Sequence, residues 1–157
     1  MNTPTNTDPQ KPRLEYWKAA PEVIKAMLAM ETAVRTSGLA PILQELIKLR
    51  VSQINGCAYC ADMHFKDAKK IGETDDRLNL LAFWQEVDLF TPQEKAALHW
   101  VEKLTRLPGG HVSDEDFAII SAHFSEADIA KITLAIVTIN SWNRFGIGFR
   151  LPVGFKA

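Results

Sequence analysis

The stretch from Glu45 to His64, ELIKLRVSQINGCAYCADMH, decides the fold of this chain. Apolar side chains recur over residues 41–54 and predict a helix that is buried over a broad face. Asn55-Gly56 is a residue pair at which helices end. The residues from Cys57 onward include few β-branched side chains and predict a second helix. Because a turn this short usually joins antiparallel helices, the stretch predicts a helical hairpin.

The predicted hairpin carries four chemically active side chains. Glu45 stands about ten residues before the turn and His64 about eight after it, so a rise of ~1.5 Å per residue puts them at a similar height. Cys57, Cys60 and His64 follow one another at intervals of three and four residues, which places them on one helix face. The spacing therefore predicts a line of contacts from Glu45 through His64 and Cys60 to Cys57.

This group suits cysteine redox chemistry. A thiol reacts with peroxides and disulfides as the thiolate, which forms more readily at a helix N-terminus or beside a base. Cys57 falls in the first turn of its helix, where the dipole favours a negative charge. His64 is in reach of Cys60 as a proton acceptor, and Glu45 can hold the imidazole in its useful tautomer. A sulfenic acid on either sulfur can condense with the other thiol to a disulfide.

Composition predicts one domain around this hairpin. The chain has 157 residues, of which 46% are hydrophobic and 24% charged, as is typical of one globular domain. A net charge of −1 gives no reason to expect a nucleic acid or an anionic membrane as partner. No apolar run approaches the length of a membrane span, and the N-terminus lacks the apolar core of a signal peptide. We expect a cytoplasmic protein, in which a CxxC pair is more often catalytic or metal-binding than structural.

Helical patterns account for the rest of the chain. We expect a flexible arm over residues 1–13, a single helical domain over residues 14–157, and an all-α bundle. Capping residues or prolines predict helix starts at Pro21, at Thr74 or Asp75, and near Thr91, Ser113 and Ser125. The β-branched run from Ile132 to Ile139 is also compatible with a strand, but the long apolar stretch and the lack of a strand partner favour a helix. Residues 146–157 are expected to form a tail.

Three segments resemble a known family. INGCAYCADMHFKDAKKIGETDDRL, residues 54–78, resembles the core motif of the carboxymuconolactone decarboxylase family, specifically its alkylhydroperoxidase D branch. LEYWKAAPEVIKAM, residues 14–27, and INSWNRFGIGFR, residues 139–150, also resemble that family. The family pattern is Glu, eleven residues, Cys-x-x-Cys, three residues and His, and Glu45, Cys57, Cys60 and His64 match it.

The resemblance implies an all-helical fold, a trimeric or hexameric homo-oligomer, and peroxidase activity on organic hydroperoxides or hydrogen peroxide without metal or organic cofactor. It implies that Cys60 becomes the sulfenic acid and that Cys57 resolves it and exchanges with a lipoyl- or thioredoxin-type dithiol. Glu45 and His64 would relay the proton. Tyr59 departs from the pattern, which often has a histidine there, so one proton carrier is missing. Family members that decarboxylate a lactone generally lack the CxxC pair, which argues against that activity.

Other interpretations stay open. The two cysteines, His64 and Glu45 form a conceivable set of four zinc ligands, although zinc prefers closed Cys/His sets that are usually drawn from loops. A non-catalytic or redox-sensing helical oligomer, or an enzyme related to the lactone decarboxylases, is a further alternative. Tyr59, Asn143 and Arg144 are candidates to border a pocket, though helix capping explains the last two equally well. The remaining histidines have no cysteine or acid at a telling spacing, which favours surface or packing roles; they are His99, His111 and His123.

Overall fold

The computed structural model describes residue 8 and residues 10–156, and over these residues the chain is helical without a strand. The prediction of an all-α fold is therefore confirmed. Eight α-helices occur within the described residues: α1 (Tyr16–Ala19), α2 (Pro21–Arg35), α3 (Pro41–Asn55), α4 (Ala58–Lys70), α5 (Asp75–Leu80), α6 (Pro92–Thr105), α7 (Asp114–Ser121) and α8 (Glu126–Gly148). Short 3-10 turns follow α5 and α6, at Leu81–Phe83 and Leu107–Gly109.

Helices α3 and α4 form the predicted hairpin. Gly56 ends α3 with a φ of 70°, in the left-handed region that glycine enters without a Cβ penalty. Cys57 then caps the N-terminus of α4, and its backbone N–H donates to the carbonyl of Ser52 at 3.0 Å. With only two residues between the helices, the turn brings the start of α4 against the end of α3.

Helix α3 lies at the centre of the fold and is buried on two sides. On one side Ile47 and Val51 pack with side chains of α6 and α8, and all of these are at most 1% exposed: Val101, Ile132, Ile136 and Ile139. On the other side Leu46 and Leu49 pack with a second cluster that includes Leu78, Leu81 and Leu98. Full burial of one such aliphatic side chain contributes roughly 1.5–3 kcal/mol, so these clusters fix the position of the hairpin.

The apolar segment near the C-terminus forms one long helix, α8. Ile132 to Ile139 are helical, as predicted, and belong to α8, which contacts α2, α3 and α6. Although α8 has 23 residues, neither it nor any other described helix combines the length and apolar character that a membrane span requires.

The two chain ends were predicted with different outcomes. The tail prediction is wrong at its start, because α8 continues through residues 146–148. Aromatic packing supports this last turn, since Phe145 and Phe149 both contact the ring of Tyr16. The predicted flexible arm over residues 1–13 falls largely outside the described residues, which omit 1–7 and 9. Within the described part, the N–H of Arg13 donates to the carbonyl of Phe149 at 2.8 Å.

Candidate active site

Cys57 and Cys60 are joined by a disulfide at the start of α4. Their Cα atoms are 5.4 Å apart, within the range that a disulfide spans. Each residue is only 2% exposed, and both belong to the main hydrophobic cluster. The two cysteines of the protein are therefore close enough to pass between dithiol and disulfide without a rearrangement of the backbone.

The start of α4 provides a favourable place for negative charge on sulfur. Cys57 occupies the N-cap position, and its Sγ accepts a hydrogen bond from the backbone N–H of Cys60 at 3.4 Å. In the reduced protein the same N–H and the helix dipole favour a thiolate at this position. Cys57 thus has the hydrogen-bond donor and the helix dipole that the sequence predicted at this position.

Helix α4 also positions His64, which meets Glu45 of α3. The Nδ1 of His64 and the Oε2 of Glu45 are 2.8 Å apart, and His64 is only 6% exposed. Because a carboxylate accepts hydrogen bonds, Nδ1 carries the proton and Nε2 of the neutral ring is a base. Among the described residues, Nε2 has no hydrogen-bond partner.

A buried lysine holds the carboxylate from its other side. Lys48 is 5% exposed, and its Nζ lies 2.6 Å from Glu31 and 3.4 Å from Glu45. A buried ammonium group is retained only when it is paired, and here two carboxylates from α2 and α3 share it. Glu45 is therefore fixed between a cation and an imidazole.

A cavity of about 480 Å³ opens beside this group. It is lined by Cys60, His64, Glu45 and Tyr59, whereas Cys57 is outside its lining. Its remaining wall is formed by Tyr16, Glu31, Arg35, Pro41, Gln44, Lys48, Met63, Asp67, Ile71, Trp142 and Leu151. Of the two cysteines, Cys60 is therefore the one that borders the cavity.

Two tyrosines of the cavity wall remain hydrogen-bond donors. Burial raises the pKa of the Tyr59 hydroxyl above its ordinary value. Burial also raises the pKa of Tyr16, and the neighbouring Tyr59 raises it further. Both phenols are therefore protonated at neutral pH and can donate to a bound oxygen atom.

Asn143 and Arg144, which were candidates to border a pocket, lie outside the lining of this cavity. The Asn143 amide donates to the Ser52 hydroxyl at 3.1 Å and accepts from Asn55 at 2.9 Å. Arg144 is exposed and donates to the carbonyl of Asn140 at 2.7 Å. The Asn143 side chain therefore links α8 to the end of α3. The Arg144 side chain forms hydrogen bonds only within α8.

Three side chains at the cavity present ligand atoms that suit a divalent cation. Atoms of Glu45, His64 and Asp67 lie within 4.8 Å of one another. The four-ligand zinc set considered above needs thiolates from Cys57 and Cys60, and in this structure the two sulfurs are bonded to each other.

Sequence reasoning missed several residues of this site. Asp67 follows His64 by three residues and shares its helix face, so spacing alone was a sufficient signal. Lys48 is a charged residue between the buried apolar residues of α3. A charge in such a position usually has a partner of opposite charge, so this residue could also have been found. Tyr16 and Trp142 reach the cavity from α1 and α8 through tertiary packing, for which the sequence carries no local signal.

Comparisons with known sequences agree with this arrangement. The sequence model of the carboxymuconolactone decarboxylase family matches residues 21–103. YdfG, an uncharacterized protein of Bacillus subtilis strain 168, is 44% identical over 135 residues, which cover 86% of this chain and 92% of YdfG. YnjA, an uncharacterized protein of Escherichia coli strain K12, is 29% identical over 119 residues, or 75% of this chain and 64% of YnjA.

Solved structures share the fold. A protein of unknown function from Agrobacterium tumefaciens, described as a candidate antioxidant defence protein AhpD, has a TM-score of 0.89 and 44% identity over 93% of this chain and 100% of its own. A peroxidase-related protein from Silicibacter sp. TM1040 has a TM-score of 0.77 and 23% identity, over 90% of this chain and 75% of its own. The debrominase Bmp8 has a TM-score of 0.79 and 19% identity, over 87% of this chain and 73% of its own. At such identities the last two support the fold alone.

Proposed function

Because the chain belongs to the carboxymuconolactone decarboxylase family, we propose that it is a thiol-dependent peroxidase that works through Cys57 and Cys60. One observation carries the proposal: Cys60 lines the same cavity as His64 and Glu45, which form a hydrogen-bonded pair. The Agrobacterium relative, described as a candidate antioxidant defence protein, supports the same class of activity. The proposed reaction uses the side chains of the site, the peroxide and a dithiol reductant.

The first step oxidises Cys60. His64 accepts the thiol proton on Nε2, and Glu45 stabilises the resulting imidazolium. The thiolate attacks the terminal oxygen of the hydroperoxide, so that an S–O bond forms while the O–O bond breaks. The departing alkoxide takes the proton from His64 and leaves as an alcohol. Cys60 is now a sulfenic acid, and the hydroperoxide has been reduced by two electrons.

The second step forms the disulfide seen in the structure. The thiol of Cys57 attacks the sulfenic sulfur, the S–S bond forms, and the hydroxyl group leaves as water. A dithiol of the lipoyl or thioredoxin type then returns two electrons and two protons by thiol–disulfide exchange. Cys57 would be the sulfur that this reductant attacks. The reductant, and assembly into a homo-oligomer, are parts of the proposal.

The cavity favours organic hydroperoxides over hydrogen peroxide. Its volume of about 480 Å³ lies within the usual range for small-molecule sites. Tyr16, Met63 and Trp142 contribute apolar or aromatic surface that an organic group can cover and that hydrogen peroxide cannot. Binding of the organic group would hold the peroxide near Cys60 and lower the KM for such substrates.

Loss of peroxide in the presence of a dithiol tests this function. The purified protein should consume cumene hydroperoxide with dihydrolipoamide as reductant, and Cys60→Ser should abolish turnover while the circular dichroism spectrum stays unchanged. Cys57→Ser should still be oxidised once, because it retains Cys60 but cannot form the internal disulfide. Turnover that survives in a folded Cys60→Ser protein would refute the assignment.

Redox sensing is a second candidate function, and the burial of the sulfurs favours it. Both cysteines are 2% exposed within the main hydrophobic cluster, so a change in their oxidation state acts directly on core packing. A sensor would be oxidised once per cysteine pair and show no sustained turnover with excess dithiol. The same peroxide assay therefore separates the two functions.

A further inference from the structure

Gly146 stands at an unexpected place in α8. Glycine in the interior of a helix destabilises it relative to alanine, because the unfolded chain has more freedom to lose. Gly146 is nevertheless helical and buried, two residues before the end of the helix. Its φ is not in the left-handed region, so backbone conformation does not demand a glycine here. The requirement must come from what faces its missing side chain.

The two cysteine sulfurs face that position. A Cβ atom on Gly146 would lie 2.9 Å from Sγ of Cys57 and 3.3 Å from Sγ of Cys60. Nonbonded carbon atoms come to rest at about 3.5–4.0 Å, and sulfur is larger than carbon. Since the disulfide joins both sulfurs to one helix, neither can turn away without moving the other.

Gly146 therefore closes one side of the pair with bare backbone. Cys60 also lines the cavity, whose lining does not include Gly146. We propose that Gly146 is a positioning residue for the Cys57–Cys60 pair: the absence of its side chain lets α8 press against both sulfurs in a geometry that favours the disulfide. The inference rests on the redox role in the proposed function, but its test uses no peroxide.

A methyl group at this position should penalise the oxidised state more than the reduced state. In the disulfide both sulfurs are pinned at the distances given above. In the dithiol each side chain can rotate about its own Cα–Cβ bond, and the nearer sulfur can move away from the methyl group. Gly146→Ala should therefore make the disulfide easier to reduce.

Gly148 provides a matched control on the same helix. A Cβ atom at Gly148 would meet nothing within 4 Å, and its φ is also outside the left-handed region. Gly148→Ala thus adds the same methyl group at the last residue of the same helix without touching the sulfurs. Any difference between the two variants reports the contact with the cysteine pair.

The experiment equilibrates wild type, Gly146→Ala and Gly148→Ala with series of reduced and oxidised dithiothreitol. After acid quenching and alkylation, mass spectrometry counts the fraction with a disulfide. Gly146→Ala should shift the equilibrium constant toward the dithiol by about tenfold, which is about 30 mV for this two-electron couple. Gly148→Ala should remain within about twofold of wild type.

An equilibrium constant for Gly146→Ala that matches that of Gly148→Ala would overturn the inference, even if peroxidase activity is present. If Gly146→Ala does not fold, the double variant Cys57→Ala/Gly146→Ala decides. Removal of the nearer sulfur should restore the fold if the contact is the cause. A double variant that is still unfolded would also contradict the inference. Absence of peroxidase activity with a shifted equilibrium would refute the proposed function but leave the role of Gly146 standing.

Discussion

The protein contains two histidine–carboxylate pairs that are almost equal in length and different in surroundings. His64 of α4 lies 2.8 Å from Glu45 of α3, and His99 of α6 lies 2.7 Å from Asp116 of α7. Both pairs join neighbouring helices, and both are largely buried. By the usual geometric criteria they are indistinguishable, so the difference between them must come from their other contacts.

The pair at Asp116 is saturated, in the sense that both carboxylate oxygens already have hydrogen-bond or ion-pair partners. One oxygen of Asp116 accepts from the N–H and hydroxyl of Ser113, at 3.0 and 3.2 Å, in the capping box of α7. The other oxygen meets His99 and, at 3.1 Å, the ammonium group of Lys103. The backbone hydrogen bond from Ser113, with smaller contributions from His99 and Lys103, holds the pKa of Asp116 far below its ordinary value despite partial burial. This carboxylate serves the start of a helix.

The pair at Glu45 lines the cavity and has a ring nitrogen without a partner among the described residues. Within the described residues, Nε2 of His64 has no partner, and the ring lies one helical turn from Cys60. A histidine–carboxylate contact does not by itself mark a reactive site. The pair at Glu45 differs from the pair at Asp116 in having a cysteine one helical turn away and a cavity that both of its residues line.

Removal of the imidazole from each pair in turn should give the largest difference in the rate of oxidation by peroxide. His64→Ala takes away the proton acceptor of Cys60, and general acid–base groups typically contribute about 10²–10⁴-fold. We expect the rate of oxidation of the reduced protein by cumene hydroperoxide to fall at least about 100-fold at neutral pH. His99→Ala is the matched control and should leave that rate unchanged. Equal rates in the two variants would refute the proton relay.

Removal of the negative charge beside His64 should have a smaller effect. Glu45→Gln keeps the shape of the side chain but no longer stabilises the imidazolium, and loss of one such charge changes a proton equilibrium by about tenfold or more. Stopped-flow oxidation of the reduced protein should slow by about tenfold. Glu31→Gln changes a carboxylate of the same cavity that bonds to Lys48 and has no hydrogen bond to His64, and should have little effect. A larger loss in Glu31→Gln would reverse the assignment of roles.

Substitution in the His99–Asp116 pair should change the stability of the protein and not its peroxidase activity. We expect this effect to be the smallest of the three predicted here. Because folding lowers the pKa of Asp116, its contribution to stability is complete above the ordinary aspartate pKa and is lost as pH falls through the lower folded value. Asp116→Asn should lower Tm at neutral pH and flatten the decline of Tm in acid. Asp114→Asn, on the exposed start of the same helix, is the control. A peroxidase rate that falls in Asp116→Asn would contradict the structural role.

The sequence predicted one of the two pairs because of the turn that precedes it. Gly56 ends α3 so abruptly that counting residues on either side of the turn places Glu45 opposite His64. The same arithmetic fails for His99 and Asp116, because residues 106–113 between α6 and α7 include a 3-10 turn and set no simple register. Spacing therefore predicts contacts across a tight hairpin and not across a longer connection.

The contact of α8 with the two sulfurs could not be predicted from the sequence. The final stretch GIGFRLPVGFKA, with two Phe and a Pro, was predicted to be a tail, although its glycine at 146 lies in α8. Tertiary packing against Cys57 and Cys60 overrides the low helix propensity of glycine at Gly146, and nothing near it in the sequence encodes the contact. Residues that reach the site from distant helices are known only once the helices are packed.

Trapping of the oxidised sulfur tests the central claim most directly. Reduced Cys57→Ser protein, treated with one equivalent of cumene hydroperoxide and then with dimedone, should carry the sulfenic-acid adduct on the peptide that contains Cys60. The same treatment of Cys60→Ser should leave Cys57 unmodified over the same time. An adduct on Cys57 at a comparable rate, or no adduct on Cys60, would contradict the account.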